Sequence, residues 1–466
     1  MSVETEHRRE CFVDAPDRRG RGGRLCVALA AVPSPDPPVP AWPIRALIEG
    51  FYGQPWSWDD RLDVMGWCHQ RGMTHYLYAP KDDALHRDRW RELYDPTMVA
   101  GFERLVASDT LQVGFAISPG LSIDYRSADD RTALAAKVDQ VVGLGIDLVA
   151  LLFDDIPVRP GLGPEHAEIT TWLRGHLDGR ADLILTPTEY TGTRSTTYLD
   201  ALAAGVPDDV LIGWTGDTVV ADEITTDHAQ ARARSLGDRP PFVWDNYPVN
   251  DAVMADRLFL GPLRGRAADL GSACSGYAAN PMVQPMASKP ALASIAGYLR
   301  GEDPMQAWVD DIGDLRIFAE ACDGEVPRRL VADALAAGSL DASLDELERW
   351  LRAARGCEAP GLDGEADAWL EQVHAEAAAG VVAVKLLRDL AGARAQLDDR
   401  ALALAILWPA LRRSAVTVMG ARCSFRPVMA QGPGGHWVWR PEAIADDQNA
   451  IDALIRAALE RMPEGR

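Results

Sequence analysis

From Ile44 onward the chain alternates short apolar or β-branched runs with longer stretches of helical periodicity, and no other feature constrains its fold as much. Eight runs read as strands: Arg45–Gly50, Thr74–Ala79, Gln112–Ser118, Asp147–Phe153, Asp182–Thr186, Val210–Trp214, Pro241–Trp244 and Gly271–Tyr277. Between them lie helix-compatible segments: Trp58–Arg71, Arg87–Ala107, Arg131–Leu144, His166–His176, Ala221–Ser235 and Asp251–Phe259. Repeated βα units build a parallel sheet, and eight of them over roughly 250 residues predict an α/β fold of the (β/α)8 TIM-barrel type.

Pro33, Pro35, Pro37, Pro38 and Pro40 cannot continue a helix or a central strand, so the folded boundary is placed just after them. Residues 1–42 are expected to be a disordered leader and 43–290 the barrel. The basic run Arg18–Arg24 and the apolar run Leu25–Val32 imitate a secretion signal only faintly, because the apolar run is short and the start is acidic. Beyond Pro290 the strand pattern gives way to alanine- and leucine-rich helical periods at Pro327–Ala337, Leu344–Ala354, Glu365–Leu390 and Arg400–Val416, so 291–466 is expected to be an α-helical domain. A Gly-rich turn after Gly432 leads into His436-Trp437-Val438-Trp439, whose aromatics are read as core.

With 47% hydrophobic and 25% charged residues the chain has the balance of a globular protein. Its net charge of −22 would repel a phosphate backbone, which argues against a nucleic-acid partner. No apolar stretch reaches the roughly 20 residues that cross a bilayer, so no membrane partner is expected and a cytoplasmic location is inferred. The seven cysteines, Cys11, Cys26, Cys68, Cys274, Cys322, Cys357 and Cys423, are odd in number and lack C-x-x-C spacing; they read as buried free thiols rather than disulfides or a zinc site.

A TIM barrel carries its chemistry at the C-terminal ends of its strands. Every strand except the sixth is followed there by carboxylates, amides or other polar groups: Glu49, Lys81 to Asp83, Ser118, Asp154 and Asp155, Glu189 and Tyr190, Asp245 and Asn246, and Asn280. The densest feature is Leu151-Leu152-Phe153-Asp154-Asp155-Ile156, an apolar strand ending in two adjacent carboxylates. Such a pair can cap the next element. At a strand end it can instead turn into one pocket, where different surroundings leave one acid protonated and the other ionised. It can also bind a divalent metal, with Glu49, Asp83 and Glu189 as further oxygen donors.

The run Ile48-Glu49-Gly50-Phe51-Tyr52-Gly53-Gln54-Pro55-Trp56-Ser57, with Arg61-Leu62 following, resembles the opening strand and loop of glycoside hydrolase family 84, the O-GlcNAcase and bacterial hexosaminidase family. Tyr76-Leu77-Tyr78-Ala79-Pro80-Lys81-Asp82-Asp83, with His86-Arg87 and Trp90-Arg91, is similar to its second strand and lysine loop. Phe153-Asp154-Asp155-Ile156, Pro187-Thr188-Glu189-Tyr190, Trp214-Thr215-Gly216, Trp244-Asp245-Asn246 and Asn250-Asp251 continue the resemblance in order, over about Ile44 to Pro290.

What the resemblance implies is a retaining exo-β-N-acetylglucosaminidase in which the sugar's acetamide attacks its own anomeric carbon, giving an oxazoline. Asp154 would stabilise the acetamide N–H, and Asp155 would serve as general acid and then base. Tyr190 would bond the acetamide oxygen, Trp244 pack beside its methyl, and Asn246 orient the group. Asp251 and Asn280 would hold O4 and O6. The Gly50 backbone and Lys81 would lie near O3, with glycine required for close approach. Tyr52 and Trp214 stay outside the contact set, since aromatics beside a sugar site are often wall. No metal or organic cofactor is implied. The implied partner is a β-GlcNAc-bearing glycoconjugate or oligosaccharide, and the helical domain is a candidate homodimer face. Two rival readings are a metal-dependent lyase or aldolase on the same barrel and a non-catalytic sugar-binding barrel.

Overall fold

The computed structural model describes residues 42–336, 340–362, 364–391, 397–413, 415–422, 425–431, 437–443 and 449–462; residues 1–41, expected as leader, and the Gly-rich turn with His436 lie outside that set. Eight strands, β1 (Arg45–Glu49), β2 (His75–Tyr78), β3 (Gln112–Ile117), β4 (Leu148–Leu152), β5 (Asp182–Thr186), β6 (Leu211–Trp214), β7 (Phe242–Asp245) and β8 (Gly276–Ala279), close into a barrel in sequence order. Every neighbouring pair is parallel, including β8 on β1. The helices between them are α1 (Trp58–His69), α2 (Pro96–Ala107), α3 (Ala128–Val142), α4 (Leu162–Leu177), α5 (Thr197–Gly205) and α6 (Thr226–Ser235), with α7 (Pro285–Leu299) after β8.

Side chains on each strand alternate between two separate cores, as a pleated strand requires. Ala46 and Ile48, Leu77 and Ala79, Ala150 and Leu152, Trp244 and Ala278 belong to a small inner cluster. Their chain neighbours Leu47, Tyr78, Val149, Leu151, Val243 and Tyr277 belong to the larger layer between sheet and helices. Local chemistry starts the helices. Ser57 and Asp60 form a capping box at α1, and Ser127, Thr196 and Thr225 cap α3, α5 and α6, each worth about 1 kcal/mol.

Two buried carboxylates brace the barrel on the helix side. Glu49 takes both Nε and Nη2 of Arg61 at 2.8 Å and the Tyr76 hydroxyl. Asp245 takes Arg266 at 2.7 and 2.6 Å and the Tyr277 hydroxyl. Bidentate pairing of this kind satisfies most of the acceptor capacity of a carboxylate that would otherwise be costly to bury.

Three expected elements are corrected. The segment Arg87–Ala107 is helical only from Pro96, because Asp95 caps there and a residue before proline is driven out of the helical region. The segment Asp251–Phe259 holds only a 3-10 turn at Ala252–Met254, entered through Ala252 at φ +48°, which no α-helix accepts. The eighth strand is Gly276–Ala279 rather than Gly271–Tyr277; Leu270–Ala273 is a 3-10 turn, tied by Ser272 to the Asp269 carbonyl through both backbone N–H and hydroxyl.

The C-terminal region contains α8 (Pro304–Ile312), α9 (Arg316–Asp323), α10 (Glu325–Ala336), α11 (Leu340–Arg355), α12 (Asp367–Ala391), α13 (Leu397–Arg413) and α14 (Ala450–Glu460) around a second core. It is not wholly helical: β9 (Phe425–Gln431) and β10 (Trp437–Ala443) pair antiparallel. Trp439 packs on the second core while Trp437 is exposed, so the expected aromatic core holds for one of the two. Leu258 and Leu260, from the β7–β8 connection, also join this core. Asp256 in the same connection is gripped by Trp369, Thr417 and Arg422, so the C-terminal region supports the loop that begins at Asp251. Among the described residues no helix is long and apolar enough to cross a membrane. Cys68 and Cys274 are buried free thiols, whereas Cys322 and Cys357 are only partly covered; Cys11, Cys26 and Cys423 lie outside the described residues.

Candidate active site

At the C-terminal end of the barrel a cavity of about 340 Å³ is lined by all nine residues singled out above: Gly50, Lys81, Asp154, Asp155, Tyr190, Trp244, Asn246, Asp251 and Asn280. Its size falls in the range of small-molecule sites, ~300–1,000 Å³. Strand parity explains the convergence. Gly50, Lys81, Asp154, Asn246 and Asn280 each lie two residues beyond an inward side chain, respectively Ile48, Ala79, Leu152, Trp244 and Ala278.

Asp154 is buried and ion-paired with buried Lys81 through Oδ2. Its other oxygen, Oδ1, is buried with no hydrogen-bond partner among the described residues. A carboxylate oxygen in that state is costly unless a donor completes it. Behind the pair, His86 Nδ1–H donates to the Ala116 carbonyl at 2.7 Å. Burial, reinforced by the Lys81 charge, pushes its pKa down to about 4, so Lys81 has no charged imidazole beside it.

Alternation alone would send Asp155 to the helix side. Its backbone instead sits at φ +51°, a left-handed conformation that returns the side chain to the cavity at a cost of roughly 1–3 kcal/mol. Its carboxylate accepts the Tyr52 hydroxyl at 2.8 Å and the Tyr190 hydroxyl at 2.9 Å. Arg87 in turn donates to the Tyr52 oxygen at 2.5 Å. Burial would raise the Asp155 pKa. The hydrogen bonds from Tyr52 and Tyr190 and the charges of Lys81 and Arg87 outweigh it and hold the carboxyl below its usual range. Burial pushes the Tyr52 phenol up to about 12 and raises Tyr190 as well, so both remain donors. The two adjacent aspartates therefore have different surroundings in one cavity.

The opposite wall is a circuit of amides. Trp244 Nε1 donates to Asn246 Oδ1 at 3.1 Å, Asn280 Nδ2 donates to the same oxygen at 2.9 Å, and Asn280 Oδ1 accepts from Gly50 N at 3.1 Å. Asn246 Nδ2 donates to the Val219 carbonyl at 2.7 Å. A Cβ on Gly50 would lie 2.4 Å from Trp244 Cζ2, so the indole requires this glycine whatever enters the cavity. Asp251 accepts from Tyr52 N at 2.8 Å, and burial raises its pKa.

Several residues fall elsewhere. Glu49 and Asp245 face the helices. Asp83 is taken by the Tyr78 and Tyr94 hydroxyls and the Leu85 N–H, and Glu189 accepts from Thr196. The further oxygens that a metal site would have drawn on thus point to other partners, and no cluster of three or more metal-ligating side chains occurs among the described residues. Trp214 does not line the cavity: it is fully buried in the layer between sheet and helices, with Nε1 donating to the Gly192 carbonyl. Tyr52 is not wall, since its hydroxyl touches Asp155. Arg87, named in the sequence only as part of the His86-Arg87 match, orients that hydroxyl. Thr186, Thr215, Val219, Val220 and Val253 also line the cavity; nothing in their residue types marked them.

A family model described as beta-N-acetylglucosaminidase matches residues 45–321, which is more than half of the chain. The protein O-GlcNAcases of Rattus norvegicus and Mus musculus are each 31% identical over 272 residues, 54% of this chain and 30% of theirs. The match thus spans under a third of the length of these curated relatives. A solved point mutant of the O-GlcNAc hydrolase of Thermobaculum terrenum superposes with a TM-score of 0.73 at 26% identity, covering 81% of this chain and 92% of that one. The matched segment carries the whole barrel, with both aspartates at its fourth strand end, and the chain belongs to the β-N-acetylglucosaminidase family.

Proposed function

We propose that the protein is a retaining exo-β-N-acetylglucosaminidase that works by substrate-assisted catalysis. The observation that carries this reading is the half-satisfied Asp154: Lys81 holds one oxygen, and the other is buried, unpartnered and in the cavity wall. An acetamide N–H is the donor that this oxygen lacks. As the acetamide oxygen attacks the anomeric carbon and the bond to the aglycone breaks, positive charge grows at the amide, and Asp154 stabilises it. Asp155 gives its proton to the departing oxygen, then takes one from the water that opens the oxazoline.

The resting geometry adds a step to this scheme. Tyr190 is bonded to Asp155, so an incoming acetamide oxygen must draw its hydroxyl away. Losing that donor, together with water leaving the closed site, raises the Asp155 pKa and favours the protonated acid when the sugar is seated. Trp244 would flank the acetamide methyl and Asn246 would orient the group. Asp251 and Asn280 would hold O4 and O6, Asn280 with the amide hydrogen not used by Asn246. Near O3, Lys81 contributes its remaining ammonium hydrogens and Gly50 its carbonyl, because the Gly50 N–H is already committed to Ile48 and Asn280.

The test is a panel of aryl β-glucosaminides differing only in the 2-N-acyl group. Rates should fall steeply as fluorine is added to the acetyl chain, because the carbonyl oxygen becomes a poorer nucleophile; indifference to fluorination would contradict the mechanism. Turnover of the acetyl compound in excess EDTA would remove both the metal-dependent and the non-catalytic readings.

A further inference from the structure

His166, on α4, is fully buried and lies outside the cavity lining, yet it sits directly under the catalytic strand end. Its imidazole stacks on the Phe153 ring with centroids 3.8 Å apart and planes 12° from parallel. Each ring nitrogen meets a phenol at 2.8 Å, Nδ1 with Tyr198 and Nε2 with Tyr125. The Tyr198 oxygen also accepts the Thr188 N–H at 2.9 Å, and the Thr188 hydroxyl donates to the Phe153 carbonyl at 2.7 Å. The contacts therefore close on themselves: Phe153 ring, His166, Tyr198, Thr188 and back to the Phe153 carbonyl.

The neutral imidazole holds one hydrogen, so one phenol donates to it and the other accepts from it. With the Tyr198 oxygen already accepting from Thr188, the arrangement in which Tyr198 donates to Nδ1 and Nε2–H donates to Tyr125 keeps the Tyr198 hydrogen inside the circuit. A second ring proton would set Nδ1–H against the Tyr198 O–H, and burial, which pushes the pKa down to about 3, keeps the ring neutral. Phe153 immediately precedes Asp154 and the left-handed Asp155, and Thr188 precedes Tyr190 by two residues.

We infer that His166, as the neutral Nε2–H tautomer, is a positioning residue that locks the β4 and β5 ends together and so holds the left-handed Asp155 in place, Asp154 being held separately by Lys81. The inference rests on the reading of Asp155 as the general acid. It assigns unequal weight to the two hydroxyls: that of Tyr198 is tied on to Thr188 and the site, whereas Tyr125 reaches Phe153 through its ring, edge to face at 5.9 Å, which Tyr125→Phe keeps.

The test compares His166→Phe, which keeps the stacked ring and loses both hydrogen bonds, with Tyr198→Phe and Tyr125→Phe. With Asp155 displaced, His166→Phe and Tyr198→Phe should lower kcat about 10- to 100-fold on alkyl β-N-acetylglucosaminides. On a dinitrophenyl glycoside, which needs little protonation, the loss should be a few-fold at most, with KM almost unchanged. Tyr125→Phe should stay within about twofold on both. Equal losses on both substrates, as a merely structural role would give, or a Tyr125→Phe as damaged as Tyr198→Phe, would overturn the inference. Nitrogen-15 shifts of the wild-type imidazoles, with His166 identified by its absence from His166→Phe or from His166→Gln, test it independently of turnover. An acceptor-type Nδ1 and a protonated Nε2 are expected, and the opposite tautomer would overturn the relay. A wild-type protein inert toward every β-N-acetylglucosaminide would instead refute the proposed function and leave the tautomer result to stand or fall alone.

Discussion

Replacing Tyr52 by phenylalanine isolates one of the contacts that hold Asp155 in its ionised form. The hydroxyl donates to Asp155 Oδ2 at 2.8 Å and is itself fed by Arg87. A hydrogen bond to a charged group contributes ~1.5–3 kcal/mol in a closed setting. Tyr52 is 37% exposed, so water competes and about 1 kcal/mol is the better figure. At about 1.4 kcal/mol per pKa unit this is a rise of roughly 0.5–1 unit for Asp155. Because the bond favours the carboxylate, its loss favours the acid. In a reaction that needs Asp155 protonated, activity falls as pH climbs through its pKa. The alkaline limb of kcat/KM, which reports the free enzyme, should therefore move to higher pH by ~0.5–1 unit in Tyr52→Phe. The assay is a pH series of kcat/KM with an alkyl β-N-acetylglucosaminide, for which acid assistance is obligatory. A limb that stays in place, or moves toward lower pH, would refute the reasoning.

Asp155→Asn should damage alkyl glycosides far more than activated aryl ones, whereas Asp154→Asn should lower kcat ~10²–10³-fold on both, since charge stabilisation at the amide is needed whatever leaves; steady-state kinetics on the two substrate types separates them. Gly50→Ala drives a methyl against Trp244 Cζ2 and should cost ~1–3 kcal/mol in a urea titration, with part of it recovered in a Gly50→Ala/Trp244→Phe double variant. Asp251 has a raised pKa through burial, so its favourable contribution to stability is full below the ordinary carboxylate range and is lost as pH rises through the folded value. Asp251→Asn should accordingly unfold at a higher temperature than wild type at neutral pH and at the same temperature near about pH 3, while its kcat/KM falls; a variant less stable at neutral pH would contradict the sign.

Strands β1 to β7 were legible because apolar and β-branched runs end in abrupt polar residues. The eighth was misplaced because Gly-Tyr-Ala-Ala has little strand character of its own; its small residues are dictated by the barrel, with Ala278 paired to Trp244 in register. Residue types on the rim drew in Glu49 and Asp245 along with the residues of the cavity. Parity would have sorted them: each shares a face with an outward neighbour, Leu47 or Val243, whereas Asp154 and Asn280 share theirs with Leu152 and Ala278. Asp155 obeys no such rule, because its position depends on a single left-handed residue that alternation cannot foresee. Tyr52 reads as wall from sequence for a related reason: only the folded β1 loop brings its hydroxyl to Asp155.

The tight seat of the Trp244 indole bears on anyone wishing to redesign this protein for bulkier N-acyl sugars. Its edge has no slack toward Gly50, its nitrogen is anchored on Asn246, and Asn246 and Asn280 return the chain of contacts to Gly50 itself. Remodelling that corner one position at a time should yield inactive intermediates, so useful variants are to be sought by varying strands β1, β7 and β8 together in a combinatorial library.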